Sequence, residues 1–569
     1  MQSSFQKLRR TLQNLETYPL YRKLRRRVYG KRSSSWYPHL RKLFDRDIRP
    51  ELDQVSAVEN RRVLFWTPTA SWPHILLEYF LATTLRLEGW QAKFAFCDGD
   101  LPHCELERSN TQRPNCTDCW QNAQRAFSPF DVPYWKLSDF VTQDEIKEVT
   151  ETAASMDIQA LREWEVDGYK AGAFADLYLP IYFLGHVREH GERELGVMRR
   201  VAAANVLGFR YAQRVLEAYK PEAVVMINGN LSITHSGFAA CLQANVRVFT
   251  WEDFRPYQDS FIFAQGQPAV FSEIPDEVWS EAKERSLSPG QEREVATFLE
   301  RFAYGRIGDI VYHPNPERGA SQIQKRLNID PDRPLFAVFT NTVWDSSVLG
   351  RNVGFKSMMD WVIETCDWFV NRPDMQLIVR VHPGEARLPG GLRTVVGAAQ
   401  VIREHFNDDV PPNIILVDAT DDAFSYTLAQ MADGIGVYTS SLGFELASLG
   451  RRVWVAGKVH YRGRGFTLDV RDREHLYQLL EDYPWDSILP SQHQELAKRY
   501  VYVRYFRQSS RVPFLTRIKS SYATRPYFKD FRFLMPGKDP LLSALAARVK
   551  DGKPVMDLPQ KSAARWKSI

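Results

Sequence analysis

No apolar run in this chain reaches the roughly 18 residues that a bilayer-spanning helix needs. The longest, Ile75–Ala82 and Leu177–Gly185, are short and read as buried elements. Cysteine is scarce, with six in 569 residues, which excludes a disulfide scaffold. The amino terminus lacks the apolar stretch of a secretory signal, so a cytoplasmic protein with reduced thiols is expected. Internal repeats and low-complexity segments are absent. None of the Asp-x-Asp pairs reads as a metal motif, so metal-independent chemistry is expected.

What is present is charge, unevenly placed. The net charge is only +5. Residues 1–32 nevertheless carry ten Lys and Arg against Glu16 alone, and residues 498–538 carry eleven against Asp530 alone. A mildly acidic body therefore has two basic ends. Such ends suit anionic lipid headgroups or phosphate-bearing substrates; they read equally as solvated charge runs. A nucleic-acid partner is not expected. Phe5, Leu8, Leu12 and Leu15 recur at helical spacing up to Pro19, and Leu20, Leu24 and Val28 continue the pattern. This basic amphipathic segment could lie on the inner face of a membrane or pack on the body.

From residue 62 short apolar strands alternate with helical stretches. The predicted strands are Val63–Trp66, Lys93–Phe96, Ala223–Ile227 and Val246–Trp251. After a charged join over 275–330 the alternation restarts with Leu335–Thr340, Leu377–Val381, Ile414–Val417, Ile435–Tyr438 and Val453–Ala456. This texture predicts an α/β protein of two doubly wound, Rossmann-like domains with parallel sheets. The boundaries expected are an N-terminal extension over 1–55, a first domain over 56–310 and a second over 311–490. A basic aromatic tail follows over 491–569. A ligand would sit between the domains at the carboxyl ends of the strands.

Four segments could carry chemistry. Val437–Gly450 reads as strand, turn and helix, with Ser440 or Ser441 as cap, Gly443 allowing close approach and Glu445 in reach of a ribose hydroxyl. It also reads as an ordinary capped helix. In Val379–Glu385, Arg380 and His382 sit at a strand end stopped by Pro383, where histidine can bind a phosphate or move a proton. Arg380 could instead point to a different face, since neighbours alternate along a strand. The Gly-rich loop Gly457–Thr467 brings Lys458, Arg462 and Arg464 to meet a diphosphate, or is a plain surface loop. In Thr340–Asp345, Trp344 could wall a base or sugar, or be core.

Taken in order, Arg-x-His-Pro-x-Glu, Tyr-Thr-Ser-Ser-x-Gly-x-Glu and Gly-x-x-x-Tyr-x-Gly-x-Gly-Phe-Thr resemble the capsular polysaccharide biosynthesis family. That family includes transferases adding Kdo sugars to capsule lipid anchors. Asn341–Asp345 is similar to a further element of its surface-polysaccharide branch, and Asn228-Gly229 with Glu252 match positions at two strand ends. The resemblance covers residues 220–470. It implies the GT-B architecture, with the nucleotide-sugar donor on the second domain and a polysaccharide or lipid-linked acceptor on the first. By it, His382, Pro383, Ser440, Ser441, Gly443 and Glu445 are donor-site candidates, and Arg380, Lys458, Tyr461, Thr467, Asn341 and Trp344 join them from the segments read above. His382 and Glu252 are the catalytic candidates, with Glu252 as base on position. The implied activity is glycosyl transfer with no required cofactor. A nucleotide-sugar epimerase of the same fold and a non-catalytic, membrane-docked assembly protein are the rivals.

Cys97, Cys104, Cys116 and Cys119 are spaced C-x6-C-x11-C-x2-C. Four thiolates would complete a structural zinc site, and the last pair has ligand spacing; reduced thiols in a loop are the alternative. Cys241 and Cys366 read as core.

Overall fold

The structure is a computed structural model. It describes residues 37–68, 75–111, 113, 115–254, 259–303, 315–388, 392–512, 526–559 and 566–568. The amphipathic segment over residues 5–28 lies outside them. Among the described residues no helix is long and apolar enough to cross a membrane.

Two sheets organise the chain. The first is built from β1 (Arg62–Trp66), β2 (Gln91–Phe96), β3 (Tyr134–Lys136), β4 (Ala223–Ile227), β5 (Arg247–Asp253) and β6 (Ser260–Gln265). The second is built from β7 (Leu335–Phe339), β8 (Gln376–Arg380), β9 (Ile414–Val417), β10 (Gly434–Val437), β11 (Val453–Val455) and β12 (Leu468–Asp469). The spatial orders are β13-β6-β5-β4-β1-β2-β3 and β12-β11-β10-β7-β8-β9. The seventh strand of the first sheet, β13 (Ser509–Arg511), comes from the tail and runs antiparallel to β6. All pairs of the second sheet are parallel. Both sheets reverse strand order once, between β1 and β4 and between β7 and β10. These are the topological switch points where doubly wound sheets bind ligands.

Each sheet is covered on both faces, which is why its strands are continuous Val, Ile, Leu and Phe rather than alternating. Phe65, Phe94 and Phe249 pack toward the helix Ile75–Leu87, while Leu64, Val224 and Val248 pack toward the helices Glu192–Tyr219 and Ser232–Gln243. The two-domain α/β expectation is borne out, and every predicted strand is present within a residue or two.

The expected boundaries need correction. Trp279, Val295 and Phe298, assigned above to the first domain, pack in the core of the second sheet. The tail is not a separate appendage. Its helix Ser491–Tyr502 packs on the second domain, beside the helix Leu442–Ser448, and β13 then joins the first sheet. Phe528, Phe531 and Phe533 close around Phe80 in the first core. A run of aromatics in a basic tail reads as exposed until the hydrophobic wall that receives it is known.

Candidate functional site

The second switch point opens on a cleft between the domains of about 1180 Å³, open to solvent. The second domain lines it with Asn341, Asp345, Arg351, His382, Thr439–Ser441 and Lys458–His460. Asp253, Phe254 and Phe271 face them from the first domain, and Arg504 and Tyr505 from the tail. The Asn341 Oδ1 accepts from the Thr439 amide at 3.3 Å, tying the end of β7 to the end of β10. The Ser440 Oγ accepts from the Leu442 amide at 3.2 Å, so the hydroxyl-rich turn does open the helix Leu442–Ser448.

His382 is held by three bonds. Its amide donates to Thr340 Oγ1 at 3.0 Å, and its Nδ1 accepts from the Gly384 amide at 3.0 Å. The Thr342 hydroxyl lies 3.1 Å from the same nitrogen. With Nδ1 accepting, the proton of the neutral ring sits on Nε2. The ring is then a donor suited to a phosphate or sugar oxygen. This narrows the catalytic expectation for His382, because the nitrogen that could take a proton is already engaged.

The cleft is cationic on its second-domain side. Arg351 Nε donates to the Lys458 carbonyl at 2.7 Å and its guanidinium lies 4.6 Å from the Phe271 ring centre. The Lys458 side chain is exposed. Arg504 is 1 % exposed and donates to the Ser272 carbonyl (2.6 Å), Ser272 Oγ (3.1 Å) and Gln508 Oε1 (2.6 Å). Burial, then Arg504, Arg351 and Arg464, hold His460 well below the usual imidazole range. Glu252 is half-buried at the end of β5, and its Oε2 has no hydrogen-bond partner. Burial, and then the charge of Asp345 across the cleft, push its carboxyl up to about 8. That is a carboxylate tuned to accept a proton near neutral pH.

Several candidates stand elsewhere. Arg380 is 1 % exposed and turned away from the cleft, donating to the carbonyls of Asp418 (2.7 Å) and Asp421 (3.2 Å). Glu445 is 2 % exposed beneath the turn, where it accepts from Tyr426 and burial raises its carboxyl to about 7. It does not line the cleft. Tyr461 is fully buried, and its hydroxyl donates to the Ser440 carbonyl at 2.6 Å. A Cβ on Gly443 would collide with that hydroxyl, so this glycine serves the tyrosine rather than a phosphate. Thr467 donates to Asp469 at 2.9 Å, and Trp344 to Thr394 at 2.8 Å while packing on the core. Of the loop cations, Arg462 donates to Val455 and Arg464 to Ile274, both at 3.0 Å, leaving Lys458 on the cleft.

The zinc expectation does not fit. Among the described residues no group of three or more His, Cys, Asp or Glu side chains is placed to hold a metal. None of the four cysteines is in a disulfide, and Cys97 Sγ lies 3.8 Å from the Gly99 carbonyl and Cys116 Sγ 3.7 Å from Arg113. Burial raises the Cys104 thiol to about 11.

Residues 297–486, which supply the cationic side of the cleft, match the family described as "Capsule polysaccharide biosynthesis protein". The resemblance seen in its ordered motifs is thereby borne out. No curated protein matches the chain. Among solved structures, the KpsC beta Kdo 2,7 transferase of Thermosulfurimonas dismutans is 14 % identical, with 54 % of this chain and 83 % of that one covered and a TM-score of 0.30. The UDP-GlcNAc 2-epimerase of Neisseria meningitidis is 10 % identical, with 78 % and 98 % covered and a TM-score of 0.25. Acinetobacter baumannii MurG is 12 % identical, with 77 % and 95 % covered and a TM-score of 0.23. All three scores lie below 0.5, so the functional reading rests on this chain's own residues and the family segment.

Asp345, Arg351, Asp253 and Arg504 were missed as site residues. Asp345 closes a motif already noted, and Asp253 adjoins Glu252, so both were within reach. Arg351 and Arg504 carry no local signal; only the meeting of the two domains puts them together.

Proposed function

We propose that the chain is a glycosyltransferase of capsular or surface polysaccharide assembly. It would move a sugar from a nucleotide-sugar donor to the growing polysaccharide or its lipid-linked precursor. One observation carries this reading: hydroxyls and cations at the second switch point (Ser440, Ser441, Lys458, Arg351) line one interdomain cleft with Asp345, whose charge adds to burial in holding the nearby Glu252 carboxyl up at about 8. The family segment gives it a setting.

In this reading the bond from the anomeric carbon to the donor phosphate oxygen breaks, and the phosphate leaves with the electron pair. Lys458, Arg351 and the protonated Nε2 of His382 stabilise that charge, a term typically worth about 3–4 kcal/mol for a single donor. The acceptor oxygen bonds to the anomeric carbon, and its proton passes to the Glu252 carboxylate. These residues suffice for a reaction that needs no metal. The basic first 32 residues would hold the protein at the inner face of the membrane, where a lipid-linked acceptor resides.

The test is thermal unfolding in the presence of UDP-, GDP-, dTDP- and CMP-sugars, followed by turnover with any that raise the Tm. Binding with transfer to a saccharide supports the proposal. Donor conversion without an acceptor makes the protein an epimerase, and no binding at all leaves the assembly-protein reading.

A further inference from the structure

The Cys-x-x-Cys pair of the first domain takes no part in the cleft, and a metal does not account for it. Cys116 is the first residue of the helix Cys116–Phe127, and Cys119 stands one turn on. This helix is the crossover between β2 and β3, which pair in parallel. The Cys119 amide donates to the Asn115 carbonyl at 2.9 Å, and Asn115 Oδ1 accepts from the Asp118 amide at 3.0 Å, so an asparagine caps a regular first turn. Residues three apart on a helix lie side by side, with Cβ atoms about 5–6 Å apart. A disulfide needs about 3.5–4.5 Å. A small movement closes that gap at the first turn, where the N–H groups are outside the intrahelical ladder. Ala123, Ala126 and Phe127 fix the far end of the helix in the first core, so the movement is confined to its start.

Solvent reaches both cysteines. Each is half-buried, and Asn115, Thr117 and Asp118 beside them are exposed. The Arg113 guanidinium lies 3.7 Å from Cys116 Sγ and is anchored on the Leu101 carbonyl at 2.6 Å. A fixed cation beside the sulfur, at the positive end of a helix, stabilises the charge that the sulfur carries as it attacks. Cys97 and Cys104 differ. Burial raises both thiols, which keeps them protonated and poor nucleophiles. Cys-x-x-Cys at the start of a helix that follows a strand is the spacing of dithiol redox sites.

We propose that Cys116 and Cys119 form a redox-active dithiol that exchanges with low-molecular-weight disulfides, with Cys116 attacking and Cys119 resolving. Cys116 Sγ gives its proton to water and attacks one sulfur of the small disulfide. A protein–thiol S–S bond forms as the S–S bond of the small molecule breaks, and one small thiol leaves with the electron pair and takes up a proton. Cys119 Sγ then loses its proton, attacks Cys116 Sγ and displaces the second small thiol in the same way. Two protein thiols are oxidised and one small disulfide is reduced to two thiols. The site is separate from the cleft and does not depend on what the cleft binds.

The probe is oxidised glutathione, added in excess to the reduced full chain at neutral pH. Remaining thiols are blocked with N-ethylmaleimide and counted by intact mass and peptide mapping. The wild-type protein should lose two of its six thiols and carry one internal link, Cys116 to Cys119, that dithiothreitol reverses. Cys119→Ala should instead retain one glutathionyl group on Cys116. Cys116→Ala should react at least tenfold more slowly than the wild type. Six thiols retained by the wild type, a link between any other pair, or a Cys116→Ala protein that reacts as fast as the wild type overturns the dithiol site.

Discussion

The Tyr461 hydroxyl reaches the Ser440 carbonyl at 2.6 Å by passing over Gly443, where a side chain would block it. The turn Ser440–Gly443 and the loop that carries Tyr461 thus make one support under the hydroxyls. Tyr461→Phe removes one of two donors to that carbonyl, the Gly443 amide at 3.3 Å being the other, which costs about 0.5–1.5 kcal/mol. The denaturation midpoint should drop accordingly, and nucleotide-sugar affinity should weaken severalfold as the turn relaxes. Gly443→Ala should do the same by displacing the ring. Calorimetric titration of a stable Tyr461→Phe protein with undiminished affinity would detach the turn from donor binding.

Lys458 is exposed on the cleft, and its backbone alone is tied down, to Arg351. Lys458→Ala should therefore leave the Tm unchanged while costing about 1.5–3 kcal/mol of donor binding, the usual worth of a charged hydrogen bond. The loss should shrink as salt is raised. Equal affinity of variant and wild type at low salt would take Lys458 out of the donor site.

Glu252 should impose a pH dependence on both rate and stability. As the base it must be ionised, so kcat/KM should climb with pH and level off above about 8. Its folded pKa stands above the ordinary 4.5, so the folded state holds an extra proton between about 4.5 and 8. Stability from this group is full below that window and declines as pH rises through it. Glu252→Gln should abolish transfer, retain donor binding and flatten that decline. A variant with a normal rate profile would show that the proton goes elsewhere.

Arg380 and Arg504 are both 1 % exposed, yet only Arg504 lines the cleft. Each satisfies buried carbonyls, so Arg380→Met and Arg504→Met should each lower stability by at least about 1–3 kcal/mol. Donor affinity should fall for Arg504→Met and hold for Arg380→Met. The opposite pattern in binding measurements on the folded variants would reverse their placement.

The sequence by itself determined the two sheets, parallel but for the antiparallel edge strands β6 and β13 of the first, because strands buried on both faces must be continuously apolar and the helices between them periodic. It also placed Asn341, His382, Ser440, Ser441 and Lys458 at strand ends, where a doubly wound sheet has its ligand edge. Tertiary structure decided the rest. Only packing shows that Glu445 and Tyr461 support the turn from below, since a polar residue one turn into a helix reads the same whether it faces a ligand or a buried neighbour. Arg351, Arg504 and Asp345 join Asp253 at one cleft through the docking of two domains and the return of the tail. Contacts between residues hundreds of positions apart leave no periodic trace in a single chain, whereas local hydrophobic spacing does.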